Sequence, residues 1–198
     1  MNNDDKKASS RIIIKELTPK LLEDYLRFFD GDAFKDNPEW AGCYCMYMHF
    51  LGTNNEWNAR SSSANRSDII ELINQNKANG LLAYLDGQVV GWCHATPRTN
   101  LKKLDVITGF QVNDKERIGS IVCFVVAAPY RRRGIARSLL DSACNIFQKW
   151  GLSIAEAYPN TKAETDAENW GGPLSLYLSA GFTPFREFKN RMIVRKIL

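Results

Sequence analysis

A strand, an arginine-rich turn and a helix follow one another in the second half of the chain, and no other stretch restricts the fold as tightly. Ile121 to Val126 (IVCFVV) is continuously apolar, as a strand buried on both faces should be. Pro129 to Leu140 (PYRRRGIARSLL) opens a stretch in which Ile135, Leu139, Leu140, Ala143, Ile146, Phe147 and Trp150 recur at helical spacing. The first N–H groups of a helix lack intrahelical partners, and its dipole places partial positive charge there. The junction is therefore an anion site. Gly134 allows close approach of a ligand and Ala136 keeps the surface low, while Arg131, Arg132, Arg133 and Arg137 supply charge and bidentate donors.

The turn excludes two phosphate carriers. A mononucleotide loop needs a longer glycine-framed segment ending in Lys and Ser or Thr, but Ile135 and Ala136 follow Gly134. A dinucleotide fingerprint needs three spaced glycines, and only Gly134 is present. The pattern R-x-x-G-x-A at Arg131, Gly134 and Ala136 resembles the acyl-CoA pyrophosphate loop of the GNAT superfamily of N-acyltransferases. Farther along, Leu176 to Phe182 (LYLSAGF) resembles the second signature of that family, L-Y-x-x-x-G-F. Gly171, Gly172 and Pro173 are breakers that start a short helix there, Tyr177 rides one face, and Gly181 ends it. Two motifs in the right order are far more specific than either alone.

A chain of 198 residues, 44% hydrophobic and 24% charged, suits a single domain, expected over residues 11–198. Residues 1–10 (MNNDDKKASS) are polar and read as a disordered tail rather than a signal peptide. No stretch approaches membrane-spanning length, so no membrane partner is expected. Cys43, Cys45, Cys93, Cys123 and Cys144 are an odd set without a secretion signal, which favours reduced thiols and a cytoplasmic location. The net charge of +4 is modest and partly concentrated in the arginine turn, which a pyrophosphate already explains, so nucleic acid is not expected as a partner.

Element signals run the length of the chain. Arg11 to Leu17 reads as a strand, Thr18-Pro19 as a helix start, and a helix follows to about Phe29. Gly31 to Asn65 is irregular yet rich in aromatics; Asn65 or Ser67 then caps a helix that stops at Asn79-Gly80. Leu81 to Leu85 and Gln88 to Thr96 flank Asp86-Gly87, a hairpin signal. Arg98 to Lys115 reads as a connector, Arg117 to Val126 as the central strand, Leu152 to Tyr158 as another strand, Pro173 to Ala180 as a short helix, and Phe182 to Leu198 as two terminal strands. The order resembles the GNAT fold over nearly the whole chain after residue 10. The resemblance implies an α/β architecture: a mixed, mostly antiparallel sheet of six to seven strands with about four helices. Its fourth and fifth strands, Ile118 to Val126 and Leu152 to Tyr158, splay apart to admit acyl-CoA.

The same resemblance implies a chemistry, in which acetyl-CoA is the donor and lies along Phe124, Val125 and Val126 and on Arg131, Arg132, Arg133, Gly134, Ile135, Ala136 and Arg137. A backbone N–H at Val126 or beside it faces the thioester carbonyl, and preorganised donors of this kind supply roughly 3 to 4 kcal/mol. Tyr177 holds the position of the general acid; a phenol of pKa about 10 is protonated at neutral pH. The amine must lose a proton, and Glu156 (in SIAEAYP) and His94 (in GWCHATP) are candidate bases, each equally readable as a structural group. Direct attack of a primary amine in a ternary complex is the expected route.

Trp40 to Phe50 (WAGCYCMYMHF) is the most unusual local text. Cys43, Cys45 and His49 do not match zinc spacing, so no metal is expected, and the segment reads as a wall of the acceptor pocket with Trp40, Cys45, Tyr47 and His94 facing the substrate. It resembles a Cys-rich early motif of a bacterial GNAT subgroup, a likeness that Gly80 to Arg98 continues. Between Tyr158 and Trp170 the acidic insert PNTKAETDAEN departs from the Asn-rich helix start usual in the family. A non-catalytic acyl-CoA-sensing module is the alternative function. Terminal strands able to pair with a second copy leave a homodimer open.

Overall fold

The computed structural model describes residues 11–113 and 115–198; the expected tail at residues 1–10 lies outside them. Among the described residues, seven strands form one sheet: β1 (Ile13–Glu16), β2 (Leu81–Leu85), β3 (Gln88–Pro97), β4 (Ile118–Val126), β5 (Ile154–Ala157), β6 (Thr183–Phe188) and β7 (Arg191–Ile197). Their order is β1-β2-β3-β4-β5-β7-β6, antiparallel throughout except for the parallel pair β4 and β5. A parallel pair needs a crossover. It is supplied by α5 (Ile135–Lys149), which buries Leu139, Leu140, Ala143 and Phe147 against β2, β3 and β4. Fully burying a Leu or Phe contributes about 1.5–3 kcal/mol, so this face fixes the helix to the sheet. On the opposite face, α1 (Leu22–Asp30) and α3 (Ser62–Asn74) bury Tyr25, Phe28, Phe29, Ile69 and Ile73 against Leu82 and Trp92 of the sheet.

The expected splay is present. Pairing of β4 with β5 covers Ile118↔Ile154 to Ile121↔Ala157 only, while β4 stays paired with β3 as far as Val126. The last five residues of β4 thus have no strand partner on the cleft side, where the Phe124 N–H donates instead to the Trp170 carbonyl. The hairpin signal is also realised: Asp86 and Gly87 both have positive φ, 51° and 81°, as a tight two-residue hairpin turn requires.

Several boundaries differ from the sequence expectation. Six helices are described rather than about four, because α2 (Asn54–Asn58) and α4 (Lys102–Val106) add one turn each inside segments that read as irregular. The first of these carries a capping box, Thr53 with Glu56. Helix α3 begins earlier than expected, with Ser61 as cap accepting from the Ala64 N–H at 3.1 Å. Asn65 is instead inside α3, where its Nδ2 donates to the Gly42 carbonyl at 2.8 Å. Thr18 makes no side-chain cap; a 3-10 turn over Pro19–Leu21 precedes α1. Strands β1 and β5 are shorter than read from hydrophobicity alone, because pairing rather than apolar content ends a strand. Helix α6 (Leu174–Ser179) carries the second motif.

Candidate active site

The cleft opens where β4 outruns β5. In an antiparallel pair, residues alternate between exchanging hydrogen bonds with the partner strand and turning their N–H groups away from it. The Ala127 N–H donates to the Val90 carbonyl at 3.0 Å, and the register pairs Gly91 with Val126 and Cys93 with Phe124. The N–H groups of Phe124 and Val126 therefore face away from β3, into the cleft. That side also receives the N-terminus of α5. Gly134, its cap, has φ 80°, and a Cβ there would meet nothing within 4 Å, so glycine is required for the backbone angle rather than for space.

A cavity of about 1080 Å³ runs along this edge. Of the residues expected to hold the donor, Phe124, Val125, Val126, Arg131, Arg132, Gly134, Ile135, Ala136 and Arg137 line it. Arg133 does not: its guanidinium lies over the Tyr130 ring, 5.5 Å from the centroid. Arg131 is the best-held cation, its Nε donating to the Val126 carbonyl at 3.0 Å. Its Nη1 meets Asp36 at 2.6 Å and Asp166 at 3.2 Å. The guanidinium holds the Asp36 carboxyl below the usual range, chiefly through its hydrogen bond. Asp36 was not singled out from the sequence, and Asp166 was read there only as part of the acidic insert. Arg137 bonds Asp141 and the Ser179 carbonyl at 3.2 Å, tying α5 to the end of α6.

Tyr177 is buried, with its hydroxyl donating to the Gly171 carbonyl at 2.6 Å. Burial pushes the phenol well above its ordinary value, so it stays protonated at any working pH. The residue before Gly171 makes a parallel contact: the Trp170 carbonyl accepts from the Phe124 N–H at 2.6 Å. Two consecutive carbonyls thus hold the Phe124 N–H and the Tyr177 hydroxyl, and Gly172, which lines the cavity where Tyr177 does not, packs against that hydroxyl. The insert, read from the sequence as an acidic departure from the family, continues into Trp170 and Gly171, and together they form this strap.

Glu156 does not point into the cleft. It is fully buried outside the cavity lining, accepts from Arg195 Nε at 2.7 Å and from the Tyr158 hydroxyl, and lies 4.0 Å from Arg98 Nε. Strand alternation placed it on an inward face; the ion pairs across β5 and β7 decide what that face meets. His94 is likewise buried and outside the lining, stacked on His49 at 5.0 Å. Its Nδ1 is 3.3 Å from Cys45 Sγ, and it is Cys45 that reaches the cavity, together with Trp40 and Tyr47. Phe29, Phe34 and Trp57 complete an aromatic wall on the far side from α5. Cys123, also at this wall, is a site residue that nothing in the strand text marked. Among the described residues no group of three or more His, Cys, Asp or Glu is placed to hold a metal ion.

The arrangement is suited to an extended ligand with a phosphate at α5 and a carbonyl beside Phe124 and Val126. Solved structures with the same architecture include PaiA N-acetyltransferase from Thermoplasma acidophilum in complex with coenzyme A, 16% identical with TM-score 0.58 over 95% of this chain and 99% of that one. Ribosomal-protein-alanine N-acetyltransferase from Brucella melitensis is 20% identical with TM-score 0.55, over 94% and 99%. A GNAT-family acetyltransferase from Listeria monocytogenes is 11% identical with TM-score 0.59, over 94% and 95%. At these identities the likeness is one of fold. Comparison with curated proteins gives no significant match. The family model for acetyltransferases of the GNAT type matches residues 40–169, which span Trp40 and Trp57 of the aromatic wall, β4, the arginine turn and Asp166, and the chain belongs to the acetyltransferase (GNAT) family.

Proposed function

We propose that this acetyltransferase moves an acetyl group from acetyl-CoA to a primary amine of a small molecule or an exposed peptide. The observation that carries the reading is the free edge of β4 ending in the N-terminus of α5, with Arg131 beside it. The pyrophosphate would sit on Arg131, Arg132, Arg137 and the first N–H groups of α5, where charge-assisted bonds are strongest. The thioester carbonyl would meet the Val126 or Phe124 N–H, and Tyr177 would give its proton to the leaving thiolate. Binding then requires the Trp170 and Gly171 carbonyls to yield both donors. The aromatic wall of Phe29, Phe34, Trp40 and Trp57 suits an amine carried on an apolar or aromatic body.

A panel of amines assayed for thiol release tests this reading. Tyr177→Phe should reduce turnover by roughly a hundredfold or more with little change in CoA affinity, the split expected for a proton donor. Equal rates in mutant and wild type would remove Tyr177 from the chemistry. A second reading, a module that senses acyl-CoA without turnover, draws support from the engagement of the Tyr177 hydroxyl by Gly171. It predicts CoA binding in a titration with no thiol release from any amine. Among the described residues no helix is long and apolar enough to cross a membrane, and all five cysteines are free thiols; we infer a cytoplasmic location.

A further inference from the structure

Tyr44 and Cys45 are the central residues of a tight turn, closed by the Met46 N–H donating to the Cys43 carbonyl at 2.9 Å, and both have positive φ, 45° and 55°. Asn, Asp or Gly ordinarily fill two such positions, because a larger side chain crowds its own backbone there. Here tertiary bonds hold the turn instead. The Tyr25 hydroxyl donates to the Tyr44 carbonyl at 2.7 Å, and Asn65 Nδ2 ties down the Gly42 carbonyl at 2.8 Å. The Tyr44 ring stacks on Phe29 with centroids 6.0 Å apart, and its hydroxyl donates to Asp30 Oδ1 at 2.6 Å. Arg66 grips the same carboxylate from α3 with two bonds, Nε to Oδ1 at 3.1 Å and Nη2 to Oδ2 at 2.9 Å. The Arg66 bond holds the Asp30 carboxyl below its usual range, so it meets Tyr44 as an anion.

The strained turn sorts its side chains between two sides. Tyr44 and Met46 enter the apolar cluster of α1 and α3, whereas Cys43, Cys45 and Tyr47 line the cavity together with Trp40. None of Tyr25, Asp30, Tyr44 and Arg66 lines the cavity, so these four stand behind its wall. The wall offers little to a charged acceptor body. Arg60 lines it but is paired with Asp68 and bonded to Asn65 at 2.7 Å, and Glu39 is exposed to solvent. What faces inward is mainly rings and thiols: Phe34, Trp40, Tyr47 and Trp57 with Cys43 and Cys45. Rings favour one another at centroid separations of about 4.5–7 Å, so such a wall fits an aromatic body only while the turn keeps its position.

We propose that Tyr44, through Asp30 and Arg66, is a positioning residue for acceptor selection, holding the strained turn so that the wall receives a primary amine carried on an aromatic body. The inference rests on the acetyltransferase reading and narrows its acceptor to the arylalkylamine class. Tyr44 meets neither acetyl-CoA nor the amine. Its hydroxyl supplies one charged hydrogen bond, and two helices supply the fixed frame: α1 through Tyr25, Phe29 and Asp30, and α3 through Asn65 and Arg66. Without that bond the segment from Cys43 to Tyr47 relaxes toward ordinary negative φ, which re-aims Cys45 and Tyr47 and opens the wall. A small amine, which makes little contact with the wall, loses nothing by this. An aromatic amine loses its fit. Donor binding at Arg131 and the N-terminus of α5 does not involve the brace.

The experiment compares 2-phenylethylamine with ethylamine as acceptors, at saturating acetyl-CoA, in the wild-type protein and in Tyr44→Phe, which removes the hydroxyl and keeps the ring. The wild type should favour 2-phenylethylamine in kcat/KM. Tyr44→Phe should raise KM for 2-phenylethylamine roughly tenfold with kcat nearly unchanged, the loss expected for one charged hydrogen bond. Ethylamine kinetics, and CoA affinity by titration, should stay as in the wild type. Arg66→Gln, at a half-exposed ion pair, should move the ratio of the two amines in the same direction, and it decides the matter if Tyr44→Phe does not fold. A lower melting temperature in these variants with that ratio unchanged marks a merely structural bond and overturns the inference. So does a wild type with no preference for 2-phenylethylamine, and either result leaves the acetyltransferase reading standing. Thiol release from no amine of the panel by the wild type overturns the two together.

Discussion

Glu156 shows how a residue with suitable chemistry can be reserved for structure. Its carboxylate is fully buried and joined to Arg195, Tyr158 and, at 4.0 Å, Arg98, whose own side chain is also fully buried. Removing one partner of such a group leaves charge uncompensated in a low dielectric, typically at about 3–5 kcal/mol. Glu156→Gln should therefore lower the unfolding free energy by about 3 kcal/mol in denaturant titration while leaving the pH profile of turnover unchanged. A lost ionisation in that profile would return Glu156 to the chemistry. Tyr177 presents the reverse case: its motif position was legible, yet its hydroxyl meets a carbonyl of its own chain, and only the tertiary placement of Gly171 could have shown it.

At the scale of elements, the arginine turn and the strap act on each other. Arg131 bridges Asp36, from the segment after α1, and Asp166, from the strap, across the mouth of the cleft. A pyrophosphate bound at Arg131, as proposed, would compete with both carboxylates. Arg131→Ala should weaken CoA binding about 10- to 100-fold in calorimetry, the loss expected for charged hydrogen bonds of about 1.5–3 kcal/mol. Asp166→Asn should tighten it by removing a competitor from the same guanidinium. Weaker binding in Asp166→Asn would instead mean that this carboxylate supports the bound form. The turn, α5 and the motif helix α6 were readable because each is specified locally, by periodicity, a glycine and flanking breakers. The strap was not, since its bonds reach from Trp170 to Phe124 and from Asp166 to Arg131, far apart in sequence.

For the whole molecule, one half-buried imidazole sets an acid limit. Burial first, and the charge of His94 second, lower the His49 pKa from 6.5 to about 3. Between those values the unfolded chain holds a proton that the folded chain does not, so stability rises with pH there and is lost as pH falls. The protein should be about 2 kcal/mol less stable near pH 5 than at pH 7, and His49→Gln should flatten that slope in thermal melts. An unchanged slope would place the effect elsewhere. The sequence by itself determined one side of the cleft: β4, Gly134, Arg131 and the LYLSAGF helix follow from patterns a few residues long, because periodicity, a positive φ and a helix N-terminus are local physics. Only the tertiary structure decided which titratable groups face the cavity. His94 is opposite Cys123 and against Cys45 because β3 pairs with β4 and a strained turn folds over them, and Glu156 is locked between β5 and β7. Those meetings depend on register and packing between segments distant in sequence, which no local pattern encodes.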